Sequence, residues 1–384
     1  MSRMKVDLKA FRAAMGLALA ASRHHPVAPE RAVQLRANGA RLFVRAGGGA
    51  VALLQALEIK EASPLPSADV AVPARALQAA VAGLKGEHVT LTLDAGVRLE
   101  VDGYTASVDA LEEAPAALAP DVFRPVHTLH LPARAFYESL RYVARAIPRA
   151  GTHVRLGKVL LEPGSGNHLR LTATDGYWLT TAEITGVVGE PLEDALQLFL
   201  PGEALALLQF LGHAGPEDCV KLGFDREGTR LRFDDGARVL QLPAAEAGFP
   251  EYDGLFTRKG GSSVLVEADS LVDAVRRMRG LVGKGHPVHL YYLADVQRLL
   301  VRARGDVGAA EANLEVQGAG PSFRLAFLPE YLEGALSGLR QAKLVAGHDQ
   351  EPMIVAGTNV KAAIMPLRSA EEGIWSDLDG SQAA

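Results

Sequence analysis

The chain has 384 residues, 48% hydrophobic and 22% charged, a balance that excludes wholesale disorder and leaves room for two or three domains. Its 40 Lys and Arg stand against 45 Asp and Glu, a formal net charge of −5. Bulk charge therefore gives no reason to expect nucleic-acid binding, and any DNA contact requires positive charge gathered on one surface. The single cysteine, Cys219, excludes an intramolecular disulfide and a multi-cysteine zinc site and fits a reducing compartment. The opening residues lack the apolar run of a signal peptide, and no apolar stretch approaches the roughly 20 residues that cross a bilayer. A cytoplasmic protein without a membrane partner is expected.

In chain order, Val6 to Arg23 starts as a strand-like run and continues at helical spacing. The run Gly47-Gly48-Gly49 lacks the Gly-Lys-Ser/Thr sequel of a phosphate loop and predicts a hairpin turn. Val72-Pro73-Ala74-Arg75 then ends a strand and opens an Ala/Leu-rich helix, since proline at a helix start forfeits no intrahelical bond. Val89 to Leu93 and Val97 to Val101 alternate as a hairpin, and Pro115 to Pro125 has the composition of a linker. Leu131 to Pro148 repeats the opening strand-and-helix plan, with Phe136, Leu140, Val143, Ala144 and Ile147 on one face. Strands are expected at Leu169 to Ala173 and Leu231 to Phe233, and a tight turn at Asp175-Gly176. Leu200-Pro201 and Leu328-Pro329 repeat the apolar–proline helix start, so the three steps at 72, 200 and 328 are each 128 residues apart. Gly254 to Ser263 has a linker's composition, and Val266 to Val282 gives the strand-and-helix plan a third time. The pattern predicts an α+β protein of three related units, each with two helices and antiparallel strands, at 1–125, 126–256 and 257–368, followed by an acidic tail, 369–384.

No catalytic constellation stands out. The pairs His127/His130 and His286/His289 are spaced i,i+3 in apparent strands, which places them on opposite faces and argues against a shared metal. No cofactor or metal site is expected. Positive charge, by contrast, gathers on the first helix of each unit. Lys9 and Arg12 precede Arg23-His24-His25; Arg141, Arg145 and Arg149 recur every four residues; Arg276, Arg277, Arg279 and Lys284 follow Asp273 without an intervening acid. Three equivalent helices with one bias in an acidic chain point to a shared surface that meets phosphates without reading sequence.

The chain resembles the bacterial sliding clamp, the beta subunit of DNA polymerase III, over residues 4 to 368. The pieces that carry the resemblance are Ala173-Thr174-Asp175-Gly176-Tyr177-Trp178-Leu179, Gly248-Phe249-Pro250-Glu251-Tyr252 and Ala363-Ile364-Met365-Pro366-Leu367-Arg368, in family order and spacing. The resemblance implies three DNA-clamp domains per chain and a head-to-tail homodimeric ring around duplex DNA, without catalytic activity. It also implies tethering of the polymerase III catalytic subunit and other clamp-binding proteins, and a clamp loader that opens the ring. Arg12, Arg23, His24, His25, Arg141, Arg145, Arg149, Arg276, Arg279 and Lys284 would then face the DNA. The implied partner-peptide pocket comprises Leu156, Thr174, Gly176, Tyr177, Trp178, Leu179, Pro250, Leu255, Ile364, Met365, Pro366, Leu367 and Arg368.

Three departures bear on that expectation. Trp178 replaces a usual basic residue, and Asp253 and Gly254 stand at usually basic positions, so a more apolar, less cationic pocket is expected. Ala106 stands where a larger apolar residue often packs at the ring interface. The tail carries Ile374, Trp375 and Leu378 among acidic residues, a candidate occupant of the chain's own pocket set against plain disorder. The alternatives are a diverged clamp paralogue with another partner set, or a hydrolase using Asp175 and nearby histidines.

Overall fold

A computed structural model describes residues 2–23, 31–48, 51–63, 67–112, 123–148, 154–164, 167–189, 196–202, 205, 208, 219–257, 261–283, 285–347 and 351–367. Its architecture is α+β, with antiparallel sheets and five helices among the described residues: α1 (Leu8–Ser22), α2 (Ala74–Ala82), α3 (Ala133–Val143), α4 (Ala268–Val282) and α5 (Pro329–Leu336). No described helix is long and apolar enough to cross a membrane. The chain divides into two compact units, one of residues 1–137 and 185–245, the other of 138–184 and 246–384.

The predicted strand-to-helix step occurs three times. Strands Ser2–Asp7, His127–Pro132 and Ser262–Glu267 run directly into α1, α3 and α4. The apolar–proline step also delivers helices: Pro73 is the N-cap of α2 and Pro329 occupies the first turn of α5. After Leu198–Pro201, Leu205 and Leu208 are helical and buried. Asp7 starts α1 by accepting from the backbone N–H of Ala10 at 2.6 Å, which satisfies one of the helix's orphan donors.

In the first unit the 13-residue strand Val51–Ser63 is shared. Its opening half pairs with Arg41–Gly48 on one side and Arg238–Pro243 on the other, and its closing half pairs with Ser2–Asp7. Gly48 lies opposite Val51, the register of the hairpin expected at the glycine run. The hairpin Val89–Leu93/Val97–Val101 also forms as predicted. Phe11, Phe224 and Phe233 are fully buried here, and Phe233 stacks on Phe136 with centroids 5.8 Å apart. Behind them a buried Asp235–Arg238 ion pair, 3.0 Å apart, crosses a turn.

In the second unit the strands run in the order Lys158–Pro163, Leu169–Thr174, Trp178–Ile184, Val360–Ile364, Met353–Ala356, Gln341–Ala346, Ser262–Glu267 and Gln317–Ala319. A separate four-stranded sheet orders Ala309–Glu315, Arg298–Arg304, Val288–Leu293 and Phe323–Phe327. The adjacency of Trp178–Ile184 and Val360–Ile364 positions the site, because it pairs strands that are far apart in sequence. His286 precedes its strand rather than lying within it, and His289 is buried in that strand. No group of three or more metal-ligating side chains occurs among the described residues.

Candidate functional site

The Asp-Gly turn between Leu169–Thr174 and Trp178–Ile184 is held by side-chain oxygens. Asp175 Oδ1 accepts from the backbone N–H of Tyr177 at 2.9 Å and of Trp178 at 3.0 Å. Thr174 Oγ1 accepts from the Gly176 N–H at 3.0 Å and donates to the Trp178 carbonyl at 2.7 Å. Gly176 takes φ +94°, a conformation that an L side chain rarely adopts, so glycine is required there. Asp175 therefore reads as the organiser of a tight turn, the role its sequence context predicts.

This turn meets the end of the neighbouring strand. Trp178 lies opposite Ile364, and beyond the ladder the Met365 N–H donates to the Tyr177 carbonyl at 3.0 Å. Leu367 is fixed in turn by its N–H donating to the Ala326 carbonyl at 2.7 Å. Tyr177, Met365 and Leu367 expose 61%, 40% and 38% of their surface. Exposed large apolar residues brought together by backbone bonds mark a contact surface.

The predicted pocket residues thus separate by burial into three sets. Tyr177, Gly176, Pro250, Met365 and Leu367 are exposed; Leu156, Leu255 and Pro366 are half-buried. Thr174, Trp178, Leu179 and Ile364 are buried and serve as the floor. Leu156 reaches that floor from a short 3-10 turn, its Cδ1 3.7 Å from where a Cβ on Gly176 would sit. Arg368, with the tail 369–384, lies outside the described residues.

Pro250 and Leu255 belong to a segment pinned through Tyr252. The Tyr252 hydroxyl accepts from Thr172 at 2.9 Å and donates to Glu162. Burial, then the bond to Glu162, pushes this phenol well above its ordinary range. Phe249 and Phe256 meet the Tyr252 ring edge to face, at 6.1 and 6.5 Å. Asp253 is not an empty substitute for a lost cation, since it pairs with Arg170 at 3.1 Å.

Two residues outside the predicted set complete the floor. The indole of Trp178 stacks on Tyr331, with centroids 5.4 Å apart and planes at 24°. Its far edge lies over Gly334, where a Cβ would stand 2.5 Å from Cη2. Tyr331 is pushed up by burial and by the nearby Asp175 carboxylate. Both residues sit on α5, the helix that its apolar–proline start made legible, but no local pattern joins them to Trp178.

The basic first helices carry exposed Arg12 on α1, Arg23 at its end, Arg141 on α3, and Arg276, Arg277 and Arg279 on α4. They are less uniform than their spacing suggests. Arg12 donates through Nη2 to the Leu84 carbonyl just past α2. Arg276 and Arg279 both pair with Glu333 of α5, at 3.3 and 2.8 Å. The stripe expected through Arg141, Arg145 and Arg149 breaks, because α3 ends at Val143 and Arg145 lies in a 3-10 turn. Ile147 is extended (φ −74°, ψ 129°), as the residue before Pro148 must be, and that forces the helix to close. His24, His25, Arg149 and Lys284 lie outside the described residues.

No family model matches the chain. In sequence it is 25% identical over 300 residues to the beta sliding clamp of Synechocystis, covering 73% of each chain. In structure it superposes on the DNA polymerase III beta subunit of Thermotoga maritima with TM-score 0.80 and 19% identity, over 96% of this chain and 100% of that one. A Helicobacter pylori beta clamp bound to a DNA ligase peptide matches with TM-score 0.80, 14% identity and the same coverage. The fold is that of the sliding clamps.

Proposed function

We propose that this chain, built on the sliding-clamp fold, is a DNA polymerase processivity factor and not an enzyme. It encircles duplex DNA without reading its sequence and tethers the polymerase and other DNA enzymes through a peptide pocket. The observation that carries this reading is the bond between Met365 and Tyr177, which makes one exposed apolar patch from two sequence motifs almost two hundred residues apart. A catalytic role for Asp175 is disfavoured, since its carboxylate is engaged by two backbone N–H groups.

In this reading residues 1–125, 126–256 and 257–368 are three clamp domains, and two copies close head to tail in the cytoplasm. Two strands are placed to join them: Tyr104–Asp109 and Ala309–Glu315 each pair on one side only among the described residues. Edge-to-edge pairing would satisfy both and remove the aggregation hazard of an open edge. Ala106, in the first of these, gives that contact a small side chain. Arg12, Arg23, Arg141, Arg145, Arg276 and Arg279 supply non-specific phosphate attraction, as a ring that slides requires.

The test is retention on nicked circular DNA. The protein, a dimer of twice 40.7 kDa loaded by a clamp loader, should stay on closed circles and leave when they are linearised. A strict monomer, or binding indifferent to linearisation, would overturn the clamp reading.

A further inference from the structure

We propose that Trp178, stacked on Tyr331 and seated over Gly334, decides which peptides the pocket accepts. It closes the floor with a buried aromatic ring edged by Asp175, so the partner is a short peptide with apolar anchors and a neutral or basic residue over the Asp-Gly turn. The inference rests on the peptide-pocket reading and adds the chemistry of the occupant.

Three observations carry it. First, the indole is buried, 4% exposed, and fills the space left by the missing side chain of Gly334. A ligand group cannot enter there without displacing an aromatic ring stacked on Tyr331 and seated by its edge over Gly334. Second, what remains accessible is apolar: Tyr177 and Met365, locked together by their backbone bond. Such a surface takes aliphatic or aromatic side chains laid flat, with the thioether adapting to their shape. Third, the carboxylate fixed at this edge is Asp175, whose Oδ1 is held by the backbone N–H groups of Tyr177 and Trp178 at 2.9 and 3.0 Å. A carboxylate on the peptide would meet like charge there, and an ammonium or a neutral group would not.

The same electrostatics decides between occupants. The chain's own tail surrounds Ile374 and Trp375 with Glu371, Glu372, Asp377 and Asp379, the wrong sign for this edge. A partner with a basic or neutral anchor segment is therefore favoured over the tail.

The experiment uses two fluorescein-labelled peptides, identical in two leucines and a phenylalanine and differing only in a central Lys or Asp, titrated by anisotropy. The full chain should prefer the Lys peptide by about three- to fivefold, the scale of one exposed charge pair. Asp175→Asn should bring the ratio towards one. Trp178→Arg should shift the ratio by about tenfold towards the Asp peptide. A preference for the Asp peptide in the unaltered chain, or a ratio that neither Asp175→Asn nor Trp178→Arg moves, would overturn the proposal and leave the pocket standing. Failure of both peptides to bind any form would instead overturn the pocket reading. Tighter binding after ending the chain at Arg368 would make the tail the occupant and likewise refute the proposal.

Discussion

Replacing Gly334 by alanine tests the packing on which the floor of the site depends. An added Cβ would lie 2.5 Å from Cη2 of Trp178, 3.1 Å from Cζ3 and 3.4 Å from Cζ2, whereas carbon atoms rest about 3.5–4.0 Å apart. The ring must shift by about 1 Å, and it has little freedom to do so. Tyr331 covers its face, the Trp178 N–H is held by Asp175, and the strand is paired on both sides. Overpacking of this kind costs about 1–3 kcal/mol. Against it stands the helix propensity of alanine, worth about 1 kcal/mol over glycine inside α5. The net expectation is a loss of about 1 kcal/mol.

The sign alone is weak proof, so the informative measurement is a double-mutant cycle. In a Trp178→Leu background the aromatic ring is absent, and Gly334→Ala should stabilise by about 1 kcal/mol through propensity. The coupling between the two positions is then about 2 kcal/mol, well outside the roughly 0.5 kcal/mol scatter of independent sites. Urea unfolding followed by circular dichroism gives all four values. Additive effects would mean that the indole does not sit on Gly334, and the specificity argument would lose its floor.

Two further outcomes follow from charge. Asp225 is pushed up by burial, but hydrogen bonds from Thr229 and Arg230 outweigh this and hold its carboxyl below the usual range. Its contribution is therefore complete above the unfolded value of about 3.9 and is lost as pH falls through the lower folded value. Asp225→Asn should lower the melting temperature at pH 7, and the gap should shrink only as pH falls from about 4 through the lower folded value; a pH-independent difference would contradict this. Glu333→Gln should release Arg276 and Arg279, raise affinity for duplex DNA, and steepen the log–log salt dependence by up to about 1.8, at 0.9 per phosphate contact. An unchanged slope would show that these two arginines do not face DNA.

How far the sequence is legible depends on whether the cause is local. The Asp175-Gly176 turn is readable because its determinants, a short acceptor side chain and a residue with φ +94°, lie within three positions of each other. The apolar–proline helix starts are readable for the same reason. The arginine stripe on α3 overshoots because i,i+4 spacing was extended past the point where Pro148 ends the helix, a stop that is itself local and present in the sequence. Trp178 is different. Its substitution for a basic residue predicts a more apolar pocket, but not that the indole turns inward to become floor. That outcome depends on Tyr331 and Gly334, which reach it only through tertiary packing, and on a glycine whose role is the volume it leaves empty.

The net charge of −5 is compatible with DNA encirclement once the arginines' tethers are considered. Arg12 is tied to a backbone carbonyl, and Arg276 and Arg279 share one carboxylate. A guanidinium with part of its donor fork engaged by its own protein attracts a phosphate but forms the full bidentate grip less readily. Each contact is then weak and easily exchanged for the next phosphate along the duplex, and their sum remains sensitive to salt. On the proposed reading, an acidic chain with tethered arginines would be suited to moving along DNA and poorly suited to holding it by affinity. On that same clamp reading retention comes from closure of the ring, which is why linearising the DNA, and not raising the salt, is the discriminating experiment.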